Sequence, residues 1–594
     1  MYAKKYCTSV KSLVFFKIVV HDKSIFQSIC LTVEASLDEL IEALSTKINS
    51  EFGSGFALII DSEGVLIGVI QDSDLRKKVS SLDKIDLTIS NIMRKDFISL
   101  EYQFTDDEMA DVLLKQISNR GWITSSPIGI IPVLKNGKPI RLMSANEIGN
   151  LLIQKVTNNI IIGLGYVGLT LAASLVAANR NVYGFDKNTS KIDMLLRSQE
   201  VIFEPGISKI FERSLNKKFF PTNDLSNIPK TPGLRNVYYV CVDTPIGSLR
   251  EPDLTNVYQV IDGLLNFIQL GDCVLMRSTV PIGTGNYIVS KIQAEKKWKV
   301  GVDFHYISAP ERTIEGNALV EIRELPQIIA GATSSCLALG LKLFHNISNV
   351  VSPVERIEEA ELIKIAVNSY RDYTFAFSNS LIDICQKFNI DLNSLIKSAN
   401  LGYPRSTIPI PSPGVGGPCL SKDSYFLHPK DLNLDKPPVI YAREVNNSIP
   451  KKNVEFIKSK IRSLNKYKCI AVGLAFKGTP ATDDVRNSTS IDFINEIKPY
   501  IKSIHTWDSI VDLNATNFDF ENHREGNSYN FYAILNNNID NHDFVSNLIS
   551  KSDESQLIVY DPWRLLSPKI LKIPSSIKEF NYFSLSHHEV IDLR

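Results

Sequence analysis

The chain has 594 residues, with 65 Lys plus Arg against 65 Asp plus Glu and a formal net charge of zero. At about 150 residues per domain, this length predicts about four domains. A hydrophobic content of 44% with 22% charged residues is that of a folded soluble protein, and it excludes a disordered chain, a fibre or a charged tail. Balanced charge gives no long-range attraction to phosphate backbones, so no nucleic-acid partner is expected. The eight cysteines (Cys7, Cys30, Cys241, Cys273, Cys336, Cys385, Cys419, Cys469) include no CxxC pair and read as reduced thiols of a cytoplasmic protein. The nine histidines show no HxxxH or HExxH spacing, so no metal site is expected.

At the N-terminus Lys4, Lys5 and Lys11 precede an apolar run that Lys17 cuts short, and no small-residue cleavage site follows. A signal peptide is therefore not expected. Residues 56–76 and 129–147 then share one pattern: strand, Gly-containing turn, strand, helix start. Asn136-Gly137 is a hairpin turn signal, and Ser144 with Glu147 has capping-box spacing. The turn glycines Gly64 and Gly137 lie 73 residues apart, so a tandem module is predicted over roughly residues 15–155.

Together with Ile89-Ser90-Asn91-Ile92-Met93 before the second copy, this pattern resembles a CBS-domain pair of α+β type. The resemblance implies an adenine nucleotide as ligand, with its ribose held by Asp74 and Glu147. Gln71 and Arg141 depart from the family pattern. The other reading is that the pair only packs subunits together.

A short β-type run, residues 159–162, leads into Gly163-Leu164-Gly165-Tyr166-Val167-Gly168 and an apolar helical stretch. A second strand ends at Asp186, eighteen residues after Gly168. This is the dinucleotide fingerprint in its proper strand–turn–helix setting. Gly163 serves the tight turn, Gly165 the approach of the pyrophosphate, and Gly168 the close packing of helix on strand. The helix N-terminus favours phosphate. Asp186 is suited to the ribose 2′-hydroxyl and so to NAD over NADP, a preference that Lys187 softens slightly. The same assignment rejects a membrane span for residues 160–178, a nineteen-residue run without charge.

Four clusters follow: residues 277–285 (RSTVPIGTG), 309–316 (APERTIEG), 360–368 (AELIKIAVN) and 413–423 (PGVGGPCLSKD). Lys364 and Asn368 are four apart and share a helix face. Cys419 follows a Gly-rich loop open to substrate. A free thiol titrates near ~8.5, so it needs nearby cations to become a good nucleophile.

From about Asn159 onward the chain resembles the UDP-glucose/GDP-mannose dehydrogenase family. The motifs are GLGYVGL at 163–169, VDTP at 242–245, STVPIGTG at 278–285, PER at 310–312, Glu361/Lys364/Asn368, GVGGPC at 414–419, and GLAFK at 473–477 with Asp484 and Arg486. The resemblance implies a four-electron oxidation of a sugar C6 hydroxymethyl by NAD, through a Cys419 thiohemiacetal and thioester, to a uronate. It implies Lys364 and Asn368 as oxyanion stabilisers, and Asp423, Thr279 and Glu311 as groups that orient water or move a proton. Gly163, Gly165, Tyr166, Val167, Gly168, Asp186, Val242, Thr244, Thr279 and Glu315 are expected at the cofactor. Glu204, Lys364, Asn368, Arg405, Gly416, Lys477, Arg486 and Arg564 are expected at the UDP-sugar.

The expected architecture is a CBS pair (1–156), an NAD-binding Rossmann domain (157–352), a central helical domain (353–450) and a C-terminal Rossmann-like domain (451–594). The fold class is thus α/β: two doubly wound domains joined by a helical segment, preceded by the α+β pair. Residues 514–541, rich in Asn, are expected to be loop-like. A homodimer or higher homo-oligomer is expected from the family habit of pairing through the central helix. Residues 311–326 and the GVGGPC loop resemble the N-acetylhexosamine branch of the family, whereas Cys419-Leu420-Ser421-Lys422-Asp423 resembles the glucose-oxidising branch; the resemblance implies UDP-ManNAc or UDP-GlcNAc, for surface polysaccharide synthesis, with UDP-glucose as the alternative. A non-catalytic sensor of adenylates and NAD is the competing class, and the intact Cys419, Lys364, Asn368 and Asp423 speak against it.

Overall fold

A computed structural model describes residues 27–46, 55–80, 87–102, 109, 112–113, 116, 130–144, 157–229, 235–344, 347–427, 437–513, 518, 520–566 and 573–592. The chain forms two compact units, Met1–Lys155 and Val156–Arg594.

In the first unit the repeat is structural. Strand β1 (Cys30–Leu31) pairs parallel with β2 (Phe56–Ile60), which pairs antiparallel with β3 (Leu66–Gln71). In the second copy β4 (Leu100–Glu101), β5 (Ile130–Lys135) and β6 (Lys138–Ser144) repeat that order and those directions. The register shifts at the equivalent point in each hairpin, between Ile59 and Ile60 and between Val133 and Leu134. Asn136 and Gly137 both take positive φ, as a two-residue hairpin turn demands. The Leu66 amide donates to the Gly137 carbonyl at 2.9 Å, so one copy's hairpin meets the other's turn. Both copies also share one apolar cluster, which holds Phe56, Leu58, Leu66, Leu134 and Leu142. Glu147 lies outside the described residues.

The second unit holds two open sheets. The first runs β14 (Val351–Pro353), β13 (Gln327–Gly331), β12 (His305–Ser308), β11 (Cys273–Met276), β10 (Arg235–Val240), β7 (Thr157–Ile162), β8 (Val182–Phe185), β9 (Phe219–Thr222). All neighbours are parallel except β12 and β13. The second sheet runs β17 (Glu521–Asn522), β16 (Ser503–Trp507), β15 (Lys468–Val472), β18 (Phe531–Ile534), β19 (Gln556–Tyr560), β20 (Glu579–Phe583), β21 (His588–Asp592), with only the last pair antiparallel. Each order reverses direction beside its first strand, at β7/β10 and at β15/β18, the place where open α/β sheets bind ligands. Strands β7, β11 and β18 are buried along their whole length; β11 and β18 accordingly read as unbroken apolar runs without alternation, while β7 opens on the buried polar residues Thr157, Asn158 and Asn159.

A 32-residue helix, Ile357–Phe388, links the sheets and packs against the helices Leu420–Phe426 and Pro438–Lys460. It ends at Asn389 in the left-handed region, a common helix stop.

Two expectations are decided here. The uncharged run 160–178 is strand β7 followed by the helix Tyr166–Ala177, and among the described residues no helix is long and apolar enough to cross a membrane. The stretch 514–541 is not a loop throughout. It contains β17, the central strand β18 and the start of the helix Ile539–Ser550. Its asparagines serve the strand end: the Asn536 side chain donates to the Ala475 carbonyl, Asn541 donates to Asn536, and Asn538 caps the helix. Only four apolar residues are needed for a buried central strand, too few to show against flanking Asn. Residues 514–517 and 519 lie outside the described residues.

Candidate active site

The turn after β7 fits a dinucleotide. Gly163 has φ +94°, and a Cβ there would lie 2.9 Å from the Cys241 carbonyl oxygen. A Cβ at Gly168 would lie 1.9 Å from the Gly163 carbonyl oxygen, so helix and turn touch backbone to backbone. A Cβ at Gly165 would meet nothing within 4 Å, the open approach a pyrophosphate requires. The first turn of the following helix carries no acid. Asp186, at the end of β8, accepts the Leu164 and Asn188 amides, both at 2.9 Å, and Lys191 Nζ at 3.0 Å. Burial works against its charge, but those two amides and Lys191 outweigh it and hold the carboxyl below the usual range.

Tyr166, Val167, Val242, Thr244 and Thr279 line the same cleft. The Thr244 hydroxyl donates to the Thr279 carbonyl at 2.7 Å, which ties the loops after β10 and β11. Across the cleft the Tyr166 hydroxyl donates to Asp483, and Asp483 also accepts the Phe203 amide at 3.3 Å. The carboxyl ends of both sheets thus face one space of about 740 Å³.

Cys419 lies in that space, at the start of the helix Leu420–Phe426 and accessible from the cleft. Its loop admits little but glycine. Gly417 has φ +91° against the Phe476 ring, and a Cβ on Gly416 would lie 2.2 Å from the Asn487 carbonyl oxygen. The protein packed around the sulfur raises the thiol pKa above its ordinary value; Lys364 and Lys422 pull it down, while Asp423 and Glu315 push it up. Lys364 and Asn368 are buried side chains of the long helix and both line the cleft. Asn368 Nδ2 donates to Asp423 at 2.7 Å, and Lys422 Nζ donates to the other Asp423 oxygen at 2.8 Å. Asp423 itself is fully buried behind them. Lys422 also stands 3.4 Å from the Thr244 hydroxyl, which joins the cysteine loop to the cofactor side.

Glu311 lines the cleft and forms a buried ion pair with Arg277. Burial disfavours its charge, but Arg277 and the Thr313 and Arg312 amides more than compensate, and the carboxyl stays below the usual range. Glu315, Lys477 and Arg486 line the same cleft. Lys477 Nζ donates to the Glu315 carbonyl oxygen, and Arg486 grips Asp484 with Nε at 3.0 Å and Nη2 at 2.7 Å. Burial and the nearby Asp484 push Glu315 up, and burial pulls Lys477 down.

Three contacts expected at the UDP-sugar fall outside the cleft. The buried Glu204 carboxylate accepts the Gly316 amide at 2.6 Å and the Ala318 amide at 2.8 Å, so it caps the helix Ala318–Glu324 instead of lining the cleft. Arg564 pairs with Asp391 at 2.7 Å, although its neighbours Trp563 and Leu565 do line the cleft. Arg405 is exposed over the Tyr403 ring. Asp74, in the first unit, accepts the Gln71 amide and Arg94 Nε, each at 2.9 Å. The site also uses residues to which the sequence reading gave no role. Arg277 and Lys422 sit inside the RSTVPIGTG and PGVGGPCLSKD motifs, so their charges were a visible signal. Asp483 had no signal beyond lying next to Asp484.

The UDP-glucose/GDP-mannose dehydrogenase family matches here through its NAD-binding domain at residues 157–348 and its central domain at residues 358–448. The chain is 31% identical over 346 residues to UDP-N-acetyl-D-mannosamine dehydrogenase of Campylobacter jejuni, covering 56% of this chain and 82% of that protein. It is 29% identical over 369 residues to the Escherichia coli K12 enzyme of the same name, covering 59% of this chain and 84% of that protein. Among solved structures, UDP-D-ManNAc dehydrogenase of Pyrococcus horikoshii superposes with TM-score 0.62 at 25% identity over 71% of this chain and 98% of that one. The UDP-N-acetyl-mannosamine dehydrogenase of S. aureus gives 0.61 at 26% identity, over 72% and 99%. Fold, glycine turn and matched relatives agree: the chain belongs to the UDP-glucose/GDP-mannose dehydrogenase family and is an NAD-dependent nucleotide-sugar dehydrogenase.

Proposed function

We propose that the second unit oxidises the C6 hydroxymethyl of a UDP-N-acetylhexosamine, UDP-ManNAc or UDP-GlcNAc, to the uronate through a covalent Cys419 intermediate. The observation that carries this reading is one cleft lined by Gly165, Lys364 and Cys419. The names of the matched relatives support the N-acetylated sugar. Residues 163–168 and Asp186 would hold NAD, which when bound would supply the hydride acceptor for each of two oxidations. Cys419 adds to the C6 aldehyde, forming a C–S bond, and Lys364 neutralises the alkoxide that develops. One Asn368 N–H is committed to Asp423, which leaves the other free for the same oxygen. Loss of hydride gives the thioester. Water, oriented by Glu311 or Thr279, then cleaves the C–S bond and returns the thiol.

The expected yield is two NADH per UDP-sugar. Cys419→Ser should abolish turnover to the acid while retaining sugar-nucleotide binding. One NADH per sugar in the parent, or full activity in the serine variant, refutes the covalent scheme.

The matching strand order of the two N-terminal copies supports the CBS-pair reading, with an adenine nucleotide near Asp74 as regulator. The same NADH assay with added AMP or ATP tests it. Exposed Tyr370, Tyr373, Phe377, Ile384 and Phe388 lie on one face of the long helix, an apolar stripe that supports a homo-oligomer. The uronate product suits surface polysaccharide synthesis.

A further inference from the structure

A fully buried ionic network lies behind the cysteine loop. Arg443, on the helix Pro438–Lys460, is 1% exposed, and Asp372, on the helix that carries Lys364 and Asn368, is 0% exposed. Arg443 Nη2 donates to the Val415 carbonyl at 2.6 Å, and Nη1 donates to Asp372 at 2.8 Å and to the Leu420 carbonyl at 3.3 Å. One planar guanidinium therefore holds the cysteine loop on both sides of Cys419. Asp372 completes the clamp: it also accepts Asn446 Nδ2 at 2.7 Å and the Ser424 hydroxyl at 3.2 Å, the latter from the helix Cys419 precedes. Asn379, two turns further along the same long helix, accepts the Ser412 amide at 3.0 Å and donates to Asn446 at 3.0 Å. Two carbonyls and a carboxylate facing one fork suit arginine; a lysine ammonium is a single point and cannot span them.

A buried pair is often no more stabilising than apolar packing of the same volume, so stability alone does not account for this one. Asp372 lies one turn beyond Asn368 on a single helix, so whatever locks the loop to Asp372 also sets the loop relative to Lys364 and Asn368. We propose that Arg443 is a positioning residue of the reaction: it ties Val415 and Leu420 to Asp372 and thereby holds the Cys419 sulfur in register with Lys364. The proposal rests on Cys419 as the nucleophile, and it assigns Arg443 no contact with sugar or cofactor.

The test uses the full chain and three variants: Arg443→Lys, Asp372→Asn and, as reference, Cys419→Ser. NAD affinity, followed by quenching of intrinsic fluorescence, reports on the folded first sheet, which Arg443 does not touch. The expected result for Arg443→Lys is NAD affinity and KM for UDP-sugar within about threefold of the parent. Its kcat should fall by roughly 100-fold, the scale of a misplaced reacting group. The rate of Cys419 alkylation by iodoacetamide, measured against pH, should also change from the parent profile. Asp372→Asn, which preserves volume, should shift kcat and alkylation in the same direction, and it carries the test if the lysine variant does not accumulate as folded protein. A folded variant with parental kcat and a parental alkylation profile overturns the proposal, as does a loss of NAD affinity in proportion to kcat. Failure of the nucleophile reading itself shows separately, as turnover by Cys419→Ser.

Discussion

Arg277→Met tests whether the cleft depends on a buried charge. In the parent the Arg277 side chain is 0% exposed and that of Glu311 7%. The guanidinium donates to Glu311, to the Ala309 carbonyl at 2.7 Å and to Gln327 Oε1 at 3.2 Å. With methionine, the Glu311 anion keeps only the Arg312 and Thr313 amides, at 2.7 and 3.0 Å. Breaking a buried pair from one side costs about 3–5 kcal/mol. On a lobe of roughly 200 residues that lowers the melting midpoint by about 6–20 °C. The sign with pH follows from Glu311, whose carboxyl is held below the usual range in the fold. Its contribution is present above the ordinary carboxylate pKa and is lost as pH falls through the folded value. The gap between parent and variant is therefore widest at neutral pH and closes on acidification. Removing the second charge, in Arg277→Met/Glu311→Gln, restores part of the midpoint. Thermal melts across pH, read by circular dichroism, decide it. A variant within about 1 kcal/mol of the parent, or a gap that does not change with pH, refutes the argument.

Gly165→Ala and Gly168→Ala should separate ligand approach from packing. The first adds a methyl that meets no protein atom, so it weakens NAD binding, by titration, without moving the melting midpoint. The second puts a methyl 1.9 Å from a backbone oxygen and should also destabilise the fold by about 1–3 kcal/mol or more. Burial and the nearby Asp484 push the Glu315 carboxyl up, to about 8. Its stabilisation is complete below the unfolded carboxyl pKa and is lost as pH rises to the folded value, so Glu315→Gln should flatten the midpoint-versus-pH curve between the ordinary carboxyl range and about pH 8. An unchanged slope would count against the assignment. Phe377→Asp, on the exposed stripe, should shift the mass measured by light scattering toward the monomer; a parent that is already monomeric removes the basis for that reading.

Much of the site was legible because its signals are contiguous. Gly163, Gly165 and Gly168 meet their tasks through neighbours on one turn, and Lys364 and Asn368 share a face because four residues make about one helical turn. The N-terminal repeat was visible in two hairpins, since turn chemistry and alternation are local. Other placements depended on the packed fold. Glu204 is drawn to amides 112 and 114 positions away because a helix start is buried beside it. Arg564 turns to Asp391, and strand β18 hides its type because burial on both faces erases alternation. The motif around Arg277 does not reveal its partners, and nothing local to Arg443 marks it as buried. Only the topology, which sets the carboxyl ends of two sheets against one helix, encloses them, and a charge cut off from water must then find its partners among whatever groups the fold has brought within reach.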